Sequence, residues 1–393
     1  MKAFEIDETE ISRVIGGVVA EELSWRFKRH TDFLTLASWS GETELGAGGL
    51  GLSEEEEAAC RRRIAQFFDF PPERFDGAPA SRIADWAHVA AGSITGSLTA
   101  FRFTPAGRDA DTEAVLHPAD AVFKDAAAAA NLLYGRRRMI SLIAPHSFLG
   151  FAVTILTPNL QLIPSVDARR MSPEELERTL SFGDVLVATP TLWRYLINEG
   201  LKAPDNAMGV FFGETMTPEL VSDLRKAGFG ALRELYGSTE TGLIAWRDSP
   251  SEAFTLFDHW RRDGDNLVRL APDGAERIAE PMDILEWTGE RSFKLAGRRD
   301  GAVQIGAVNV FPSRIAATIR GHRAVEDCKI RVARHAGGVA RLVARIKLNP
   351  EIAPSELTAR DIDSWCRTHL RPQERPRIYN FEASLEDDAE KSP

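Results

Sequence analysis

At 393 residues, with a net charge of −10 and a pI near 5.5, the chain carries no basic stripe, which excludes an electrostatically driven nucleic-acid binder. Hydrophobic content of 44% and charged content of 27% fit a soluble globular protein, and the length suggests two or three domains. Cys60, Cys328 and Cys366 lie far apart with no CxxC or Cys/His cluster, so neither a disulfide framework nor a zinc site is expected, and a reducing cytoplasm is the natural location.

From the N-terminus, MKAFEIDETEISRV is acidic and lacks the apolar run of a secretory signal. Glu10 to Phe27 places Ile11, Val14, Ile15, Val18, Val19 and Leu23 at helical spacing. Ser53 before four glutamates predicts a capped helix running to Phe68, which Pro71-Pro72 ends. Residues 1–90 are therefore expected to be helical. From about residue 97, short apolar runs (Met139–Ala144, Val185–Ala188, Met208–Phe212, Leu232–Tyr236) alternate with helix candidates at Ala126–Tyr134, Pro173–Leu180 and Pro218–Ala227. That alternation predicts an α/β domain with a largely parallel sheet over 91–296, its ligands at the carboxyl ends of the strands. The most apolar segment, Phe148 to Ile163, is broken by Pro158, Asn159 and Gln161 too early to span a membrane, so it is expected in the core. A charged, Gly-flanked stretch near Gly297 then separates a small α+β domain over 297–393. There Cys328–Ala333 and Ala340–Leu348 predict a strand pair around Gly337-Gly338. Thr358–Leu370 predicts a helix with Ile362, Trp365, Cys366 and Leu370 on one side.

The chemistry concentrates at Tyr236-Gly237-Ser238-Thr239-Glu240-Thr241-Gly242, a strand end that turns at a glycine and offers amides, hydroxyls and one acid. Such a loop suits phosphate, Gly237 permits a close backbone approach, and Glu240 can hold Mg²⁺, a hard cation that takes carboxylate oxygen. Gly213-Glu214-Thr215 follows another strand-like run. His146 borders the apolar segment, and Phe148, Trp193, Phe211 and Phe212 are candidates to line an aromatic pocket. Asp283 offers a carboxylate to sugar hydroxyls, and Gly297-Arg298-Arg299-Asp300 supplies a fixed-charge fork for phosphate.

YGSTETG followed some fifty residues later by GRRD resembles two signature motifs of the adenylate-forming ligases, which activate a carboxylate with ATP and pass the acyl group to a thiol. Trp246-Arg247-Asp248, Phe257–Arg262 and Gly306–Pro312 are similar to the short 4-coumarate–CoA ligases linked to photoactive yellow protein and to aryl-polyene pigment ligases, over roughly residues 97–383. The resemblance implies a large AMP-binding domain and a small mobile C-terminal domain hinged at Asp300. It assigns Thr239 and Glu240 to phosphate and Mg²⁺, Tyr236 with Gly237 and Ser238 to the adenine side, and Gly213, Glu214 and Thr215 to the adenine and acyl border. Asp283 and Arg298 go to the ribose and α-phosphate, Thr104 to the phosphate loop, and His146 to the acyl pocket. The implied substrates are a small aromatic acid, ATP with Mg²⁺, and CoA or a phosphopantetheinyl carrier protein.

Three departures accompany the likeness. The phosphate loop of that family is rich in Gly, Ser and Thr. Here Thr104-Pro105-Ala106-Gly107-Arg108-Asp109-Ala110-Asp111-Thr112 keeps only Thr104, Pro105 removes an amide donor, and two aspartates face an anion. Lys391 falls within about one residue of the family's adenylation lysine but has acids around it and no preceding Gly, so a solvated terminal lysine is the alternative. Ala307 and Gln304 replace a Gly and a common Lys in the thioester-forming loop. An active ligase and a degenerate homologue that binds nucleotide or acyl group without adenylation both follow.

Overall fold

The computed structural model describes residues 6–105, 113–271, 274–299, 301–305, 308–334 and 340–385. The chain forms two compact units, one of residues Met1–Pro281 with Leu285–Lys294, the other of Met282–Ile284 with Leu295–Pro393.

In the first unit the helix predicted from Glu10 starts at Glu8, because Asp7 caps it by accepting from Thr9 N at 2.7 Å. All six apolar residues that predicted it are buried. The second expected helix, Glu54–Phe67, opens on a reciprocal capping box: Ser53 Oγ accepts from Glu56 N, and Glu56 Oε2 accepts from Ser53 N at 2.8 Å. A short helix, Phe33–Ser38, and a longer one, Ile83–Ser97, also belong to this region. Phe67, Phe101, Phe103, Phe148 and Phe151 interlock edge to face, with ring centroids 4.8–5.7 Å apart between Phe67 and Phe151, Phe101 and Phe151, and Phe103 and Phe148. Aromatic burial of this kind adds roughly 0.5–1.5 kcal/mol per pair beyond area. It fixes the helical region to the strand that precedes Thr104 and to the segment after His146.

Among the described residues the main sheet has nine strands. Ser165–Asp167, Arg138–Ser141, Asp184–Ala188, Met208–Phe211 and Ala231–Ser238 lie parallel in that spatial order. Asp184–Ala188 and Met208–Phe211 are buried along their whole length, as parallel strands covered on both faces are. Gly242–Arg247, Phe254–Leu256, Ser292–Arg298 and Asp283–Trp287 extend the sheet beyond Ala231–Ser238. The first three pair antiparallel in turn. A separate antiparallel sheet joins Trp260–Asp263, Asn266–Leu270 and Glu276–Ala279. The strand expected to reach Ala144 stops at Ser141, whose Oγ accepts from Ile143 N at 3.1 Å and starts a turn. The helix expected from Ala126 begins seven residues earlier, at Ala119, directly after Pro118. Pro190–Asn198 is a further helix, capped by Thr189 and packed through Trp193 and Leu196. Among the described residues no helix is long and apolar enough to cross a membrane. Phe148–Ile163 instead forms a buried π-helical turn, Gly150–Leu156, followed by a short helix.

In the second unit the predicted strand pair is present as Val325–Arg334 against Ala340–Leu348, antiparallel, and Ile378–Phe381 joins the latter in parallel. Helices Pro312–Arg320 and Glu356–His369 cover the sheet, with Ile315, Ile319, Ile362 and Cys366 in the core. Gly337-Gly338 lies outside the described residues.

Candidate functional site

Ala231–Ser238 ends in the Gly-Ser-Thr-Glu turn and returns antiparallel as Gly242–Arg247, with a register shift between Tyr236 and Gly237. A Cβ at Gly237 would lie 2.2 Å from Gly242 O, so glycine is required here by the returning strand's backbone. Ser238 Oγ accepts from Glu240 N at 3.2 Å and from Thr241 N at 3.3 Å, and the Ser238 and Thr241 hydroxyls are 3.1 Å apart. The Ser238 and Thr241 hydroxyls are thus spent shaping the turn. Glu240 remains exposed at its tip and Thr239 half-buried beside it.

Residues distant in sequence hold the turn from below. His117 Nε2–H donates to Thr239 O at 2.6 Å, and burial pushes the His117 pKa down, which keeps the ring neutral. Asp125 is completely buried. It accepts from Leu243 N at 3.0 Å and from Arg269 Nη2 at 2.6 Å, and it lies 2.8 Å from His259 Nε2. Arg269 Nη1 in turn donates to Thr241 O at 3.0 Å. Gly242 sits at φ +81°, and a Cβ there would lie 2.4 Å from Asp125 Oδ2. Nothing in the sequence pattern pointed to His117, Asp125 or Arg269, and His259 was noticed only as part of the Phe257–Arg262 resemblance, with no role.

Tyr236 is half-buried against Phe254 and Phe293, with centroids 5.4 and 5.5 Å away. Phe148 underlies the turn, in ring contact with Phe103 and His117. Gly213 adopts φ +85°, and Glu214 accepts from Thr191 Oγ1 at 2.9 Å. Phe212 is buried next to it, and Thr215 is exposed. Trp193 is not brought to this group. It is fully buried against Phe211 and Phe229, and its Nε1 donates to Val210 O at 3.2 Å. In the second unit Arg298 Nη1 lies 3.4 Å from Asp283 Oδ1, so these two residues singled out in the sequence are neighbours. Asp300, Lys391, Ala307 and residues 106–112 of the expected phosphate loop lie outside the described residues.

His146 packs on the first N-terminal helix at Gly17. Burial, then the positive charges of Arg169 and Arg63, push its pKa down to about 3, so the ring is neutral, and its Nδ1 has no hydrogen-bond partner. A Cβ at Gly17 would lie 1.9 Å from His146 Nδ1. Gly17→Ala is therefore expected to destabilise by roughly 2 kcal/mol, against the gain of about 1 kcal/mol that alanine normally brings to a helix interior. Urea unfolding of Gly17→Ala alone and combined with His146→Ala measures it. A neutral single variant, or no recovery in the pair, would show that His146 is not seated there.

Thr104 is held on both sides: Arg63 Nη2 donates to its hydroxyl, which donates to the Glu21 carboxylate. Burial raises the Glu21 pKa to about 7, opposed by Arg63. A carboxyl whose folded pKa is raised costs stability as pH climbs above the unfolded value near 4.5, and the whole cost is present above about 7. The side chain keeps 17% of its exposure, which discounts the full shift to about 1–3 kcal/mol. Glu21→Gln should unfold at the same temperature as the parent at pH 4 and at a higher one at pH 8. A difference that does not change with pH would refute this.

The donor set suits Mg²⁺. Among the described residues no group of three or more His, Cys, Asp and Glu could cage a metal by itself. Mg²⁺ bound with nucleotide needs only one or two carboxylates beside the phosphate oxygens, and exposed Glu240 offers one.

No protein-family profile matches the chain. The 4-coumarate–CoA ligase of Halorhodospira halophila is 33% identical over 298 residues, covering 75% of each chain. The protein of the same name from Cereibacter sphaeroides is 25% identical over 346 residues, 86% of this chain and 77% of that one. The amide bond synthetase of Marinactinospora thermotolerans shares the fold with a TM-score of 0.60 at 15% identity, over 95% of this chain and 91% of that one.

Proposed function

Because the chain belongs to the adenylate-forming family of acyl-CoA synthetases, alongside the 4-coumarate–CoA ligases, we propose that it is an ATP-dependent acid–thiol ligase. It activates a coumarate-like or benzoate-like carboxylate as the acyl-AMP and transfers the acyl group to CoA or a carrier-protein thiol. The observation that carries this reading is the turn at 236–242. Its shape is fixed by its own hydroxyls and by His117 and Arg269, while Glu240 stays exposed at its tip. Preorganised groups of this kind stabilise charge that develops during reaction without reorganising at that moment. Glu240 would hold Mg²⁺, which would supply positive charge to the phosphate oxygens. Thr239 donates to the phosphate or the acyl carboxylate, Tyr236 borders the adenine, and Asp283 and Arg298 bind the ribose and α-phosphate. The substrate carboxylate attacks the α-phosphorus in line and displaces pyrophosphate, with Lys391 the candidate to neutralise the carboxylate, and the thiol then displaces AMP from the acyl-AMP. A neutral His146 and apolar Phe212 suit a flat aromatic ring better than a charged substituent.

One observation favours a second reading, nucleotide or acyl binding without adenylation: Thr104, the residue retained from the family's phosphate loop, is already engaged by Arg63 and Glu21. Pyrophosphate exchange into ATP with a panel of aromatic acids, including 4-coumarate and benzoates, separates the two. Acid-dependent exchange establishes the ligase. Its absence with every acid, alongside measurable AMP binding, establishes the second reading.

A further inference from the structure

Leu162 is both strained and exposed. It follows the short helix Thr157–Gln161 at φ +55°, in the left-handed region, and it is 91% exposed. A helix end of this shape is ordinarily taken by glycine or asparagine, because a bulky side chain crowds its own backbone there. Of the four described non-glycine residues with positive φ, Leu162 alone is apolar. Strain at a residue with so little burial points to something outside the chain.

Two more large side chains stand beside it. Arg138–Ser141 pairs in parallel with Ser165–Asp167 on one side and with Asp184–Ala188 on the other, so the loops entering these strands share one edge of the sheet. Met139 N donates to Pro164 O at 2.9 Å, and Arg137 N donates to Gly183 O at 3.1 Å. The three loops carry Tyr134, 87% exposed, Leu162, and Phe182, 51% exposed. Gln161 Nε2 donates to Ala130 O at 2.8 Å, which ties the Leu162 turn to the helix preceding Tyr134. Single exposed apolar residues are ordinary on a protein surface, but three on adjacent loops form a ridge.

Arginines border the ridge. Arg137 lies over the Phe182 ring at 5.2 Å, and Arg136 Nη1 donates to Asn206 O at 2.8 Å. Among the described residues neither guanidinium pairs with a carboxylate, and Arg233 adds to the positive field at Arg136. Protruding apolar tips with guanidinium groups behind them match the layering of a lipid surface, acyl chains below and phosphates above. A rigid protein partner would have to offer a socket for each tip. A second copy docked here by two-fold symmetry would bring the same uncompensated arginines into one interface. A net charge of −10 opposes adsorption by charge alone, so the apolar tips have to carry the binding.

We propose that this edge of the main sheet docks the chain on a membrane surface, with Leu162, Tyr134 and Phe182 inserted among the lipids and Arg136 and Arg137 on the headgroup phosphates. The parallel strands run away from this edge. The Glu240 turn, at the carboxyl end of Ala231–Ser238, therefore stays clear of the lipid by roughly 25 Å along the strand. Docking needs neither nucleotide nor acid, so it is independent of the ligase reading.

Flotation of the full chain with vesicles of phosphatidylcholine, and of equal parts phosphatidylcholine and phosphatidylserine, tests it. The parent should bind both and favour the mixed vesicles. Leu162→Gly with Tyr134→Ser should weaken both by roughly tenfold or more, since two apolar side chains leave the lipid. Leu162→Met should stay near the parent. Arg137→Gln should lose about fivefold on the mixed vesicles and little on the neutral ones. Leu162→Gly alone should unfold at a temperature equal to or above the parent's, because glycine relieves the left-handed strain, and this separates lost docking from lost fold. A parent that floats with neither vesicle, or a double variant within about twofold of it, overturns the proposal. A lower unfolding temperature for Leu162→Gly does the same, by giving the side chain a structural role. So does a parent that is a dimer by light scattering and becomes a monomer in Leu162→Gly, which would assign the ridge to a second copy.

Discussion

Glu240→Gln should lower acid-dependent pyrophosphate exchange by a factor of roughly 10²–10³ while leaving the unfolding temperature unchanged. The side chain is exposed at the tip of its turn, and the backbone there helps to shape it, Glu240 N donating to Ser238 Oγ. An isosteric amide therefore keeps the fold, since exposed substitutions away from special features change stability by only about 0.5 kcal/mol. What it removes is one full negative charge that, on the ligase reading, would face a hard divalent cation, and an amide oxygen would replace it poorly. The loss should appear mainly in kcat, because the cation's charge matters most as the phosphate oxygens gain negative charge in the transition state. The apparent Mg²⁺ requirement should rise in parallel. Exchange retained within about threefold of the parent, at saturating Mg²⁺, would remove Glu240 from the metal role and return the turn to a structural one.

What the sequence revealed and what it hid divide along sequence distance. Ser53 and Glu56 are three residues apart, and their capping box could be read directly from the letters. The apolar runs at Val185–Ala188 and Met208–Phe211 became strands because each is buried on both faces of the sheet, where no alternation is demanded. Helix Pro190–Asn198 was missed even though Thr189 and Pro190 are an N-cap and a first-turn proline, both good start signals. The turn at 236–242 was legible as a motif, but the reason for Gly237 was not. The close neighbour is Gly242 O, five residues on and visible only once the strand has folded back. The groups beneath the turn were beyond reach: Asp125 and Arg269 are 144 residues apart, and His117 and Thr239 are 122 apart. Arg26, Arg62 and Arg63 were not singled out in the sequence, and only packing turns them towards one cavity.

Asp125→Ala is expected to cost about 3–5 kcal/mol of stability, the range for breaking a buried ion pair by removing one partner. The carboxylate is completely buried and meets three groups: the Arg269 guanidinium, the Leu243 amide and the His259 ring. Removing it leaves the Arg269 cation buried with only the Thr241 and Ala121 carbonyls and the face of Trp260 for company. It also leaves the Leu243 amide without that acceptor inside the protein. Asp125→Asn should cost less, because the amide oxygen can still accept from Leu243 N while the charge is lost. Adding Arg269→Leu to Asp125→Ala should recover part of the deficit, since an unpaired buried charge is worse than none. Both Leu243 N and Thr241 O belong to the chain that carries Glu240, so the single variant should lose exchange activity together with stability, in contrast to Glu240→Gln. Urea unfolding of the four proteins decides it. A cost below about 1 kcal/mol for Asp125→Ala would mean that Arg269 finds another counter-charge or water, and that the turn stands without its buried support.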